Sequence, residues 1–239
     1  MDASLAPEDP VGAPVKGWRP PARPLRRDLS GRWAALEALE PQEHAEGLFD
    51  AFAADPAGRG WTYMPYGPFA TFEGFRDWLE ADCTGDDPLF FALRDLETGL
   101  PGGMASYLRI SPGAGTIEIG HLHFAPGIAR RRAASEALIL MIAQAFELGY
   151  RRVEWKCDAL NARSRRAASR LGLAFEGVFR QAAVVKGRNR DTAWYAAIDA
   201  DWPRLSAAYD AWLDPGNFDA DGRQRRRLSA LTAPLRADA

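Results

Sequence analysis

A chain of 239 residues, 47% of them hydrophobic, is large enough to bury a sizeable core. Its formal net charge of -2 gives no basis for bulk nucleic-acid binding, and it has no apolar run of the roughly 18 residues that suggest a membrane span. Two cysteines, Cys83 and Cys157, make no disulfide framework. The N-terminus lacks the pattern of a secretory leader, so a reducing cytoplasm is the expected compartment.

Residues 1–28 are rich in proline, which withholds backbone donors. They read as an extended arm, with Trp18 able to anchor it. Residues 29–213 read as one domain, and 214–239 as a polar, arginine-rich tail. Within the domain a weak first strand spans 31–39, and a helix begins at Pro41, a residue suited to a first turn. An aromatic loop follows over 58–70. Thr71 then caps a helix carrying Phe72, Phe75, Trp78 and Leu79 at helical spacing.

Three strands, 88–95, 104–110 and 116–124, are joined by Gly-containing turns and predict an antiparallel meander. A long helix ends at Gly149. A strand over 150–158, a helix opening at Asn161 and closing at Gly172, two strands around "GRN" and a helix over 202–213 complete the pattern. The mixture of antiparallel strands with a helical crossover predicts an α/β class with a mixed sheet.

Chemistry concentrates at "GHLHF" (Gly120–Phe124) and "ARRRAAS" (Ala129–Ser135). Residues two apart in a strand share a face. Strict alternation therefore puts Ile117, Ile119, His121 and His123 on one face and Glu118, Gly120, Leu122 and Phe124 on the other. Histidine titrates near neutrality and can take a proton from an ammonium group. A helix start offers free N–H groups and a positive dipole end to an anion, and arginines add fixed charge. With three histidines in the chain, no metal site is expected.

The order of elements, with "EIGHLHF", "FELGYRRVEWKCDALNARSRRAASRLGLAFEGVFRQ" and "KGRNRDTAWYAAID", resembles the Gcn5-related N-acetyltransferase (GNAT) superfamily. Within it the match is nearest to the ribosomal-protein alanine acetyltransferase branch. The resemblance implies a twisted, mostly antiparallel sheet splayed between its fourth and fifth strands. It implies acetyl-CoA as cosubstrate in the splay, its pyrophosphate at the helix start. The implied reaction is direct attack by a primary amine, borne by a peptide or protein N-terminus or by a small molecule, in a monomer or homodimer. Two alternatives stay open: a bulkier acyl-CoA, or a CoA-binding module without turnover. Nucleic-acid binding through "RQRRR" is a weak further reading.

One departure stands out. The family's phosphate loop reads Gln/Arg-x-x-Gly-x-Gly/Ala, and Arg130 and Arg132 occupy its glycine positions. By resemblance, Phe124, Arg130, Arg131, Arg132, Ala133, Ala134, Ser135, Asn161 and Ser164 contact CoA. Ser164 is also placed to donate to the departing thiolate. His121 and His123 are candidate bases, like a His-x-His at the same place in arylalkylamine N-acetyltransferases. Glu118 is a further candidate acting through water. Trp61, Tyr63 and Tyr66, with Phe69, fall in the loop that forms the acceptor lip. Cys157 reads as a buried, inert thiol, and Arg165 and Arg166 as helix surface with a second reading at the 3′-phosphate.

Overall fold

The computed structural model describes residues 10–236. Its strands are β1 (Leu29–Ser30), β2 (Ala34–Ala38), β3 (Leu89–Asp95), β4 (Pro101–Ser111), β5 (Thr116–Phe124), β6 (Arg152–Asp158), β7 (Ala174–Val185) and β8 (Arg188–Ile198). Among the described residues they form one sheet in the order β1-β2-β3-β4-β5-β6-β8-β7. Every neighbouring pair is antiparallel except β5 and β6.

The parallel pairing is short. It joins only Thr116, Ile117 and Glu118 to Arg152, Val153 and Glu154. Beyond these residues the two strands part and the sheet opens. These are the fourth and fifth strands of the expected fold, because the two-residue β1 adds one to the count.

Side-chain alternation divides the core between the two faces. On one face α1 (Pro41–Ala53) and α2 (Phe72–Asp82) pack Leu48, Phe52, Phe75 and Leu79 against Phe90, Ala92 and Met104. On the other, α3 (Arg132–Glu147) lays Ala137, Met141 and Ala145 against Ile117, Ile119 and Val153. The same face holds α4 (Ala162–Arg170), α5 (Trp202–Leu213) and α6 (Leu228–Arg236), through Ala168, Leu205 and Leu228. α3 is buried along most of its length, as a helix with so few polar positions must be. Thr71 Oγ1 accepts the N–H of Gly74 and Asn161 Oδ1 that of Ser164, so both expected caps form.

The C-terminal segment departs from the polar tail expected for 214–239. Its described part, through residue 236, folds back onto the domain. Phe218, Leu228 and Thr232 are buried, and Asn217 ties the chain to Trp212 and Arg226. The arginines dominate its composition, but a few inward side chains decide its position. The arm also lies on the domain from Trp18 onward, while residues 10–17 are exposed. Arg26 donates to the carbonyls of Leu39, Thr84 and Gly85, and the Arg151 guanidinium sits 5.6 Å from the ring of Trp18.

Candidate active site

β5 does not run straight. His123 pairs with Met104 and Gly120 with Ser106, so His121 and Leu122 together face Ala105. This is a β-bulge, and His121 sits in it at φ 53°. Strict alternation is broken there. Glu118, His121 and His123 share the α1/α2 face, while Ile117, Ile119, Leu122 and Phe124 face α3. The expectation that Glu118 lies opposite the histidines is thus corrected. An isolated glycine within a strand pattern, Gly120, was the local signal of the bulge. A second bulge opposite, at Arg109 (φ 46°), brings Arg109 Nε to 3.4 Å from Glu118 Oε2.

A cavity of about 440 Å³ passes through the splay from one face to the other. Its first half is lined by Tyr63, Met64, Pro65, Arg109, Glu118, His121, Lys156 and Arg190. Its second half is lined by Leu122, Phe124, Ala134, Ser135, Leu138, Trp155, Asn161 and Ser164.

In the first half, Nδ1 of His121 lies 2.7 Å from the hydroxyl of Tyr66. Burial, helped by Arg109 and Arg190, depresses the pKa of His121 to about 4. Its imidazole is therefore neutral at physiological pH. Burial also pushes the Tyr66 phenol up, keeping it protonated. The Glu118 carboxyl is raised by burial, against the opposing pull of Lys156 Nζ at 3.0 Å and of Arg109. Lys156 is shared with Glu154 at 2.8 Å and lies 3.7 Å from the ring centre of Trp194.

His123 lies elsewhere. Its ring stacks on Trp61 at 3.8 Å and meets the edge of Phe52 at 4.2 Å. It is buried, and burial depresses its pKa to about 4. A Cβ on Gly60 would fall 2.4 Å from His123 Cε1, so the loop passes the ring only as glycine. Of the lip aromatics, Tyr63 lines the cavity and Tyr66 reaches it through His121. Trp61 and Phe69 lie beneath, 5.5 Å apart in an aromatic cluster. The β7–β8 hairpin closes over this loop, Lys186 Nζ donating to the carbonyls of Trp61 at 3.1 Å and Gly67 at 2.7 Å.

In the second half, α3 begins without a side-chain cap, leaving the first-turn N–H groups of Arg132, Ala133 and Ala134 to a ligand. Arg131 pairs with Asp95 and Glu97, and Arg132 pairs with Glu97. Arg132 also lies 4.7 Å from the ring of Trp33 and 5.2 Å from that of Phe218. Arg130 is exposed. All three border a second cavity of about 400 Å³, with Ser135, Arg170, Arg223 and Arg227. Arg170 and Ser135 line both cavities, and Arg170 donates to Ser135 Oγ at 2.8 Å. Arg223 and Arg227 come from the C-terminal segment, and sequence reading did not connect them with the helix start.

α4 is held over the second half by Asn161, whose Oδ1 accepts the N–H of Ser164 at 3.1 Å. Ser164 Oγ accepts the indole N–H of Trp155 at 2.9 Å, which leaves the hydroxyl proton to be donated. Burial pushes the Cys157 thiol up, making it a poor nucleophile. Arg165 is tied to Tyr195 and to the carbonyl of Ala159, while Arg166 is exposed. Among the described residues no cluster of three or more His, Cys, Asp or Glu side chains could hold a metal ion, and no helix is long and apolar enough to cross a membrane.

The acetyltransferase (GNAT) domain family matches residues 35–174. A GCN5-related N-acetyltransferase from Brucella melitensis is 45% identical, with a TM-score of 0.89 over 92% of this chain and 100% of that one. A probable acetyltransferase of the GNAT family from Chromobacterium violaceum is 38% identical, with a TM-score of 0.76 over 83% and 100%. The microcin C7 self-immunity acetyltransferase MccE, solved in complex with acetyl-CoA and AMP, shares the fold at 19% identity, with a TM-score of 0.62 over 70% and 93%. No curated protein matches the chain. The family match, the identity to these structures and a sheet splayed beside an uncapped helix start establish that the chain belongs to the GNAT family of acetyltransferases.

Proposed function

We propose that the protein is an acetyl-CoA-dependent N-acetyltransferase that acetylates a primary amine by direct attack. The carrying observation is the continuous cavity through the splay. A neutral histidine stands at one end, and an uncapped helix start bordered by arginines at the other. The residues suit CoA. Arg132, Ala133 and Ala134 offer backbone N–H groups at the start of α3, Arg130 and Arg170 offer charge, and Leu138 and Phe124 offer an apolar wall. When bound, acetyl-CoA supplies the activated acetyl group.

The protein's own part is proton handling and orientation. The burial and cationic field that keep His121 neutral would also favour the neutral form of an amine placed beside it. His121 accepts the proton that the acceptor nitrogen gives up as it bonds to carbon, and Tyr66 fixes the ring. Ser164, held by Trp155, donates to the departing sulfur. Glu118, committed to Lys156 and Arg109, sets the field around His121. The acceptor is a peptide or protein N-terminus, in keeping with the ribosomal-protein branch, or a small amine. Cys83 and Cys157, buried and unpaired, suit a reducing cytoplasm.

The test is thiol release from acetyl-CoA across a panel of amines. The expected result is amine-dependent release with formation of the acetamide. Release independent of amine, or none with any amine, would leave a CoA-binding module without this activity.

A further inference from the structure

Arg190 contributes to the field around His121, but no anionic partner for it has been described. It sits in β8, paired with Ala183 of β7, and its side chain lines the acceptor half of the cavity. Its Nε is buried and has no hydrogen-bond partner among the described residues. Its charge lies close enough to His121 and Cys157 to act on both. Leaving a buried guanidinium N–H unpaired costs stability, so its presence calls for an acceptor that the folded chain does not provide.

The carboxylates nearby are already engaged. Glu118 serves Lys156 and Arg109, Asp158 accepts the N–H of Leu160, and Asp191 accepts from Gln181 and Asn189. Cations outnumber anions along the cavity wall, with Arg109, Lys156, Arg163, Arg170 and Arg190 against Glu118 and Asp158. A guanidinium fork fits a carboxylate or phosphate through two parallel hydrogen bonds.

We propose that the acceptor carries an anionic oxygen group, carboxylate or phosphate, near its amine, and that Arg190 binds it. This rests on the acetyl-transfer reading above and narrows its substrate class. It also gives the bulge at His121 a purpose, since the turned imidazole and Arg190 then address two neighbouring groups of one small molecule.

The experiment compares kcat/KM, by thiol release from acetyl-CoA, within matched pairs of amines. One arm sets amino acids against their decarboxylated amines, the other aminoalkyl phosphates against the parent amino alcohols. The arm with the larger ratio identifies the anion. The wild-type enzyme is expected to favour the anionic member of one pair by about 10- to 100-fold, as a charge-assisted hydrogen bond would give. In Arg190→Gln that preference collapses through the anionic member, and in Arg190→Lys part of it survives. Equal rates within both pairs for the wild type overturn the proposal whatever the variants do. A parallel loss for both members in Arg190→Gln, or a raised KM for acetyl-CoA, shows a structural role and also overturns it. Thiol release without preference sinks only this inference, whereas no release with any amine sinks the acetyl-transfer reading with it.

Discussion

His121→Ala lowers turnover by on the order of 10²–10⁴-fold, the usual range for a positioned acid–base group, and leaves acetyl-CoA affinity in place. The ring lines the acceptor half of the cavity and is absent from the half assigned to CoA. The pH dependence follows from the depressed pKa. A histidine near 4 is neutral from pH 5 upward, so the imidazole loses its function as a base only when pH falls through about 4. The rising limb of kcat/KM at higher pH therefore reports the acceptor's ammonium, and it should move when an amine of different pKa is used. Because residue 121 sits at positive φ, alanine there adds backbone strain. His121→Asn tolerates that conformation better and separates lost chemistry from lost fold. Unchanged turnover in both variants, or a wild-type inflection fixed near pH 6.5 whatever the amine, would refute this role for His121.

Acid should unfold the protein early, and the two histidines should be a large part of the reason. His121 and His123 titrate near 4 in the fold against an ordinary 6.5. As pH falls through that window the unfolded chain takes up protons that the fold refuses, so stability is lost as pH drops. At about 1.4 kcal/mol per pH unit, each ring contributes roughly 3 kcal/mol across the window. Glu118 works with the opposite sign, since its raised pKa lets the fold bind a proton first. It offsets part of the loss. His123→Phe isolates the effect. The aromatic contacts with Trp61 and Phe52 remain, while the titration and the unpartnered Nδ1 disappear. Its melting temperature should fall less than the wild type's between pH 6.5 and 4.5. Parallel curves for the two proteins would show that His123 is not the cause.

The meander, the two caps and the crossover helix were legible because each is a local signal: alternation, a capping oxygen, a run of apolar residues. The splay was read by resemblance, and the structure shows it as a parallel pairing that stops after Glu118 and Glu154. The bulge could not be read from period alone. A register shift is a property of two strands, and only Gly120 hinted at it. Trp61 is a candidate by resemblance to the acceptor-lip loop and His123 by strand alternation and a resemblance to a His-x-His, yet their rings stack on each other below the cavity. Arg190 reads in sequence only as the first residue of the strand "RDTAWYAAID" after the "GRN" turn. It becomes a cavity residue only when the β7–β8 hairpin docks against β6. The C-terminal segment hid its role in the same way. Its few buried side chains bring Arg223 and Arg227 to the cavity beside Arg130, and no local pattern encodes that meeting.

The central claim is that acetyl-CoA occupies the splay with its phosphates at the start of α3, and ligand-induced thermal stabilisation tests it most directly. At ~100 times its dissociation constant, acetyl-CoA should stabilise the fold by roughly 2.7 kcal/mol, seen as a clear rise in Tm. Acetylated pantetheine, which lacks the nucleotide phosphates, should raise Tm much less at the same concentration, because it offers nothing to the arginine-lined cavity. No rise with millimolar acetyl-CoA, or an equal rise with both ligands, would contradict the account.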